Sequence, residues 1–160
     1  MTSTANKPLV SMKRLLLTGE FGPVCLRASR QDVRAHFGEP EQTGGTSRKQ
    51  RVTSIWKYGN IEFYFSRADD RLWYIQADDF EDDQVLQGGS GFELDAWVLR
   101  GGASWDGVKA ALFDEGIPFQ PSDWSFEDDT LRFLVGAGVE LIFGGKATTP
   151  ALRAVSFVER

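Results

Sequence analysis

Apolar residues recur at helical spacing in three short runs of this chain and alternate with polar residues in several others. Ser29 opens the clearest helical run, with Asp32 three residues on as a capping partner and Val33 and Phe37 on one face. Gly38 supplies the stop, and Pro40 prevents the helix from resuming. Ser104 caps a second run carrying Val108 and Leu112, ended by Gly116 and followed by Pro118. Near the start, Leu9, Met12, Leu15 and Leu16 predict a short leading helix that Gly19 ends. Trp56-Lys57-Tyr58 alternates, turns at Gly59-Asn60 and returns as Ile61 to Phe65, which is a hairpin pattern. Leu131-Arg132-Phe133 alternates likewise, turns near Gly136-Ala137-Gly138 and returns as Val139 to Phe143. A third strand follows each hairpin, over Leu72 to Ala77 and Leu152 to Val158. Residues Gln42 to Arg51, rich in Gly, Thr, Ser, Lys and Arg, read as a solvated loop.

These runs form two series in the same order. The capping serine, the valine and the bulky apolar residue are each displaced by 75 positions, and the Gly-x-Pro stop by 78, as if the second helix were about a turn longer. Asn60-Ile-Glu-Phe-Tyr-Phe and Gly138-Val-Glu-Leu-Ile-Phe match in residue type at nearly every place. The expectation is an α+β protein of two tandem repeats, each a helix plus an antiparallel meander, with the helices on one face of the sheet. Residues 20–86 form the first repeat and 92–160 the second, within one compact domain spanning 1–160; residues 1–19 are a tail and short helix. Units this small have little room for separate cores, so the two are expected to share one continuous sheet. Gly88-Gly89-Ser90-Gly91 reads as the linker between them.

The residues Leu26-Arg27-Ala28-Ser29-x-x-Asp32-Val33, Phe37-Gly38-Glu39-Pro40 and Ile55 to Phe63 resemble small bacterial proteins with SmpA/OmlA-like or β-lactamase-inhibitor-protein-like repeats. The resemblance covers about residues 24 to 78 and, more loosely, 99 to 158. It implies a short helical segment ahead of a meander of antiparallel strands, and a protein that binds other proteins. The lipoprotein signal of the first group and the secretion signal of the second have no counterpart here, which leaves an intracellular binder.

Composition narrows the function classes. With 160 residues, 41 % hydrophobic residues, 12 Phe and 5 Trp, the chain can build a core without metal or disulfide support. The net charge of −5 argues against nucleic acid, which demands a basic stripe, and favours a basic protein partner. The leading apolar run Leu15-Leu16-Leu17 is too short for a signal or membrane segment, so no membrane partner and a cytoplasmic location are expected.

Catalytic and metal chemistry find little to build on. The single cysteine, Cys25, sits in an apolar stretch and reads as a small core residue; His36 reads as a structural histidine beside the buried helix face. One histidine and no His or Cys pair at ligand spacing give no seed for zinc. The acidic run Asp78 to Asp83 lacks the order of a calcium loop. Gly101-Gly102-Ala103-Ser104 precedes a helix without a nucleotide-binding motif. Asp69-Asp70 and Asp128-Asp129 read as turn residues. No cofactor is expected.

Strand alternation points instead to a surface. Trp56, Tyr58, Ile61, Phe63 and Phe65, with Leu131, Phe133, Val139, Leu141 and Phe143, should bury the helices. Lys57, Glu62, Tyr64 and Tyr74, with Arg132, Glu140 and Ile142, should project from the other face, with Leu72 and Gln76 in step with Tyr74, Trp73 and Ile75 on the opposite parity, and a Lys57–Glu62 ion pair across the hairpin. Asp82 and Asp83 would flank that face and steer a basic partner. The expected function is a non-enzymatic protein-binding module, an immunity-type or inhibitor protein that occludes its partner, as monomer or homodimer. The alternatives are a small carboxylate-dependent hydrolase and a homodimeric ligand-binding or scaffold protein.

Overall fold

Serine side chains set the start of each helix in the computed structural model, which describes residues 6–45, 52–78, 80–122, 130–144 and 150–159. Ser11 accepts the Arg14 N–H at 3.2 Å and opens α1, Met12–Thr18, which the left-handed Gly19 ends. Ser29 accepts the Asp32 N–H while Asp32 accepts the Ser29 N–H, the reciprocal box that opens α2, Arg30–Phe37. Ser104 accepts the Gly107 N–H at 3.1 Å and opens α3, Trp105–Asp114. No helix among the described residues is long and apolar enough to cross a membrane.

The strands are β1 Leu9–Ser11, β2 Gln42–Gly44, β3 Ile55–Tyr58, β4 Ile61–Phe65, β5 Leu72–Ala77, β6 Glu93–Asp95, β7 Phe119–Pro121, β8 Leu131–Val135, β9 Val139–Gly144 and β10 Ala151–Val158. β1 and β6 pair with each other in parallel. The other eight make one antiparallel sheet in the order β2-β3-β4-β5-β10-β9-β8-β7, so each meander follows its own helix and the two meet at β5 and β10.

One face of this sheet is the core. Trp56, Tyr58, Ile61, Phe63, Phe65, Leu72, Ile75, Val139, Leu141, Phe143, Leu152 and Val155 are buried there. Phe37 of α2 packs edge-on to Tyr58 at 5.9 Å, and the Tyr58 hydroxyl donates to the Gly38 carbonyl at 2.7 Å. Burial pushes that phenol up to about 12, so it stays a donor. Trp105 of α3 lies flat on Phe133 at 3.7 Å. Met12 and Leu15 of α1 share a small apolar void with Ile61, Ile75, Val155 and Phe157, so α1 covers the seam where β5 meets β10.

Several backbone contacts recur on either side of that seam. The Arg27 N–H donates to Leu72 O and the Gly102 N–H to Leu152 O, both from left-handed residues, with φ +78° and +82°. The capping serines bridge to the same strands, Ser29 to Arg71 and Ser104 to Ala151. The register of β5 slips at Trp73 and that of β10 at Arg153. The Glu159 N–H then bonds Trp73 O at 2.9 Å, and the Phe80 N–H bonds Arg153 O at 3.0 Å.

Four expectations are corrected. Leu9 belongs to β1 and is 63 % exposed, because β6 supplies a strand partner that local spacing does not reveal. Gln42–Gly44, expected in a loop, is the edge strand β2, where one-sided pairing asks for no apolar alternation. Cys25 is exposed: Val24 beside it takes the buried position, and the chain turns outward. The 88–91 segment is no loose linker, since Gly88 and Gly91 are buried against Phe92 and Tyr58. Glu41 fastens it, accepting the N–H groups of Ser90 at 2.6 Å and Gly59 at 3.2 Å. Those two bonds hold the Glu41 carboxyl below its ordinary range.

Candidate partner-binding face

Pairing register aligns one residue from every strand across the face opposite the helices. The row runs Gln42, Lys57, Glu62, Gln76, Ser156, Glu140, Leu134, Gln120. It places Glu62 and Glu140 symmetrically about the central pair Gln76 and Ser156. The next row carries Ile55, Tyr64, Tyr74 and Val158. Every residue named here from β3, β4, β5, β8, β9 and β10 is half-buried, which for side chains standing side by side on a sheet means one wall packed and one open.

Hydrogen bonds stiffen the first-half side of this face. The Tyr64 hydroxyl donates to Glu62 Oε2 at 2.8 Å. Gln76 Nε2 donates to the same oxygen at 3.0 Å and to Tyr64 Oη at 2.8 Å, while its Oε1 accepts the Tyr74 hydroxyl at 2.6 Å. Burial, reinforced by the bonded Glu62, holds the Tyr64 phenol well above its ordinary range. Burial also raises Tyr74; a Ser156 hydrogen bond opposes this, and the charges of Asp78, Glu140 and Glu62 add to it. Both tyrosines are therefore fixed, protonated aromatic platforms, and little rotamer freedom remains for a partner to freeze.

Lys57 stands opposite Glu62 as expected, yet the two form no ion pair within 4.0 Å. The carboxylate is turned instead towards Tyr64 and Gln76, which both donate to its Oε2 and are bonded to each other. Arg132 shares the face and pairs with Glu140 at 3.3 Å; Ser122 Oγ donates to the other Glu140 oxygen. Asp82 is engaged by Arg153 at 3.0 Å, and the Asp83 N–H bonds Gly101 O, so both sit on an ordered turn beside the start of the central strand β10. Asp79 and Asp128-Asp129 lie outside the described residues. Asp69 does accept its own chain's Arg71 N–H at 3.3 Å, the turn role its position predicts.

Two expectations about faces change. Leu72 is fully buried on the helix side, because the slip at Trp73 reverses the alternation and sends Trp73 and Tyr74 together to the open face. Trp73 is 39 % exposed, stacks on Tyr74 at 5.3 Å and meets Tyr64 at 6.5 Å. Leu131, expected under a helix, is 38 % exposed at the end of β8. Alternation alone misses Trp73, since nothing in Leu72-Trp73-Tyr74 marks a bulge. Alternation does place Glu140 on this face and Gln76 in step with Tyr74; Ser156 is found only through register.

Among the described residues no three His, Cys, Asp or Glu side chains are grouped to hold a metal ion. Cys25 and His36 are both exposed and lie far apart in role, one in a loop and one on the outer side of α2. Comparison with protein-family models, with curated proteins and with solved structures finds no match to this chain.

Proposed function

We propose that this chain is a non-enzymatic protein-binding module, an immunity-type or inhibitor protein of the cytoplasm that covers the working surface of a basic partner protein. In this reading residues 20–86 and 92–160 are two helix-plus-meander repeats of one domain, as the paired backbone contacts of Arg27 and Gly102 support. The observation that carries the function is the aromatic group Tyr64, Trp73 and Tyr74 standing on a sheet face that no described helix covers. Aromatic rings held rigid by their own hydrogen bonds are the typical anchors of protein interfaces. The net charge of −5 and the carboxylates around Tyr74 favour a basic partner and fast encounter.

The test begins with a partner that copurifies with the tagged protein from its own cells. Tyr64→Ala and Tyr74→Ala should each weaken that complex by about 1–3 kcal/mol in calorimetric titration. Asp82→Asn with Asp83→Asn should slow association, and the loss should shrink as salt rises. A partner that binds both tyrosine variants as tightly as the parent protein would sink the reading.

A further inference from the structure

Phe113 is 81 % exposed, more than any other large hydrophobic side chain among the described residues. It belongs to a two-residue extension that α2 does not have. α2 ends at Phe37, whereas α3 continues past Leu112, its counterpart at a displacement of 75, through Phe113 and Asp114. The extension therefore buries nothing of its own: Leu112 is the last core residue of α3. A phenyl ring left largely in water on a helix extension gives up most of the benefit that burial of such a ring normally contributes.

The surroundings of Phe113 are ordered as a helix seam. A shallow recess beside it is lined by Asp106, Lys109, Ala110, Asp114 and Phe119. At ~100° per residue Ala110 and Phe113 point outward about 60° apart. Lys109 and Asp114 then flank this strip on opposite sides, each about 40° beyond it. Neither forms an ion pair within 4.0 Å with any described residue. Lys109 and Asp114 are five positions apart, the separation at which flanking charges of two parallel helices meet across a shared apolar seam.

We propose that a second copy of this chain occupies the strip: α3 packs in parallel on α3 of the partner about a two-fold axis. Phe113 and Ala110 meet their own copies along the seam, and Lys109 of each chain pairs with Asp114 of the other, twice by symmetry. Asp106, one turn before, ends the seam by holding the helix starts apart. The contact is short, so the dimer is weak and depends on concentration. It uses the helix side of the molecule, leaves Tyr64, Trp73 and Tyr74 open, and does not rest on the function proposed above.

Sedimentation equilibrium of the full chain over a wide concentration range, reaching the millimolar, tests this. The expected result is a monomer–dimer equilibrium whose dissociation constant rises at least about tenfold in Phe113→Ser, a variant that keeps the fold because the side chain packs on little. Lys109→Asp and Asp114→Lys should each weaken the dimer, and the double exchange should restore it, since reciprocal pairing returns with reversed signs. A monomer at every concentration overturns the proposal. So does a dimer that ignores Phe113→Ser, or one lost instead in Tyr64→Ala, which would put the contact on the sheet. A double exchange no better than the single ones overturns the parallel arrangement.

Discussion

The two meanders bury the same kind of sheet under the same kind of helix, but they finish that packing with different chemistry. In the first, the guanidinium of Arg30 lies 5.5 Å from the Trp56 ring and 4.5 Å from Phe65, and Arg34 lies 5.0 Å from Trp56. In the second, the residue 75 positions after Arg30 is Trp105, which stacks on Phe133 and meets Phe143 at 5.2 Å. The open faces differ as well. Tyr64 and Tyr74 give way to Ile142 and Ala154, and the slipped residue Trp73 to Arg153, whose guanidinium bonds Phe80 O and Asp82. The backbone bonds beside each capping serine and the buried leucine of each third strand recur in both meanders, whereas the residues over each core and on the outward face differ. The first meander carries aromatic rings on its open face as well as in its core, with cations over that core; the second keeps Trp105, Phe133 and Phe143 together on the helix side.

The sharpest challenge to treating these as two parts of one structure comes from the buried leucines just before each slip. Leu72→Ala and Leu152→Ala should each cost about 2–5 kcal/mol, both side chains being fully buried. Because β5 and β10 pair, either change should shift a single urea transition. Two separate transitions would mean that the meanders are independent domains. A smaller, asymmetric pair tests the caps. Trp105→Ala should cost about 3 kcal/mol through lost ring packing, and Arg30→Ala only about 1–2 kcal/mol, since it removes a cation–ring contact and an outer ion pair with Asp70. Equal losses would erase the distinction between the two caps. The smallest effect concerns the left-handed residues. Gly102→Ala should cost about 1–2 kcal/mol from the backbone alone. Arg27→Gly should change the midpoint by less, because relief of the same strain is offset by the loss of exposed contacts with Asp69 and Glu159.

Much of the frame was legible from sequence because it is written in strong local signals. The Ser29–Asp32 box, the Ser104 cap, the Gly59-Asn60 turn and the third strands from residue 72 and from about 152 all appear where spacing predicts. What escaped is set by partners distant in the chain. β2 and β7 are three-residue edges that exist only because β3 and β8 offer bonds. β1 needs β6, some eighty residues on, and the slips at Trp73 and Arg153 follow from how β5 and β10 meet their neighbours. The candidate face suffered in the same way. Lys57, Glu62, Tyr64, Tyr74, Arg132 and Glu140 follow from parity, while parity sends Trp73 to the wrong side and, though it sets Gln76 in step with Tyr74, gives no sign that Gln76 joins the two tyrosines.

The adjacency of β5 and β10 also sets a clock for the nascent chain. β5 is complete at Ala77, but Ala151, where its second neighbour begins, is made 74 residues later. At about 5–20 residues per second this leaves one strand edge unpaired for about 4–15 s on every ribosome. During that interval alternate residues of the stretch 74–77 present free backbone groups to any other unfinished strand. Crowded polysomes, where such edges from neighbouring copies lie closest together, are therefore where the yield of this protein is most exposed to loss.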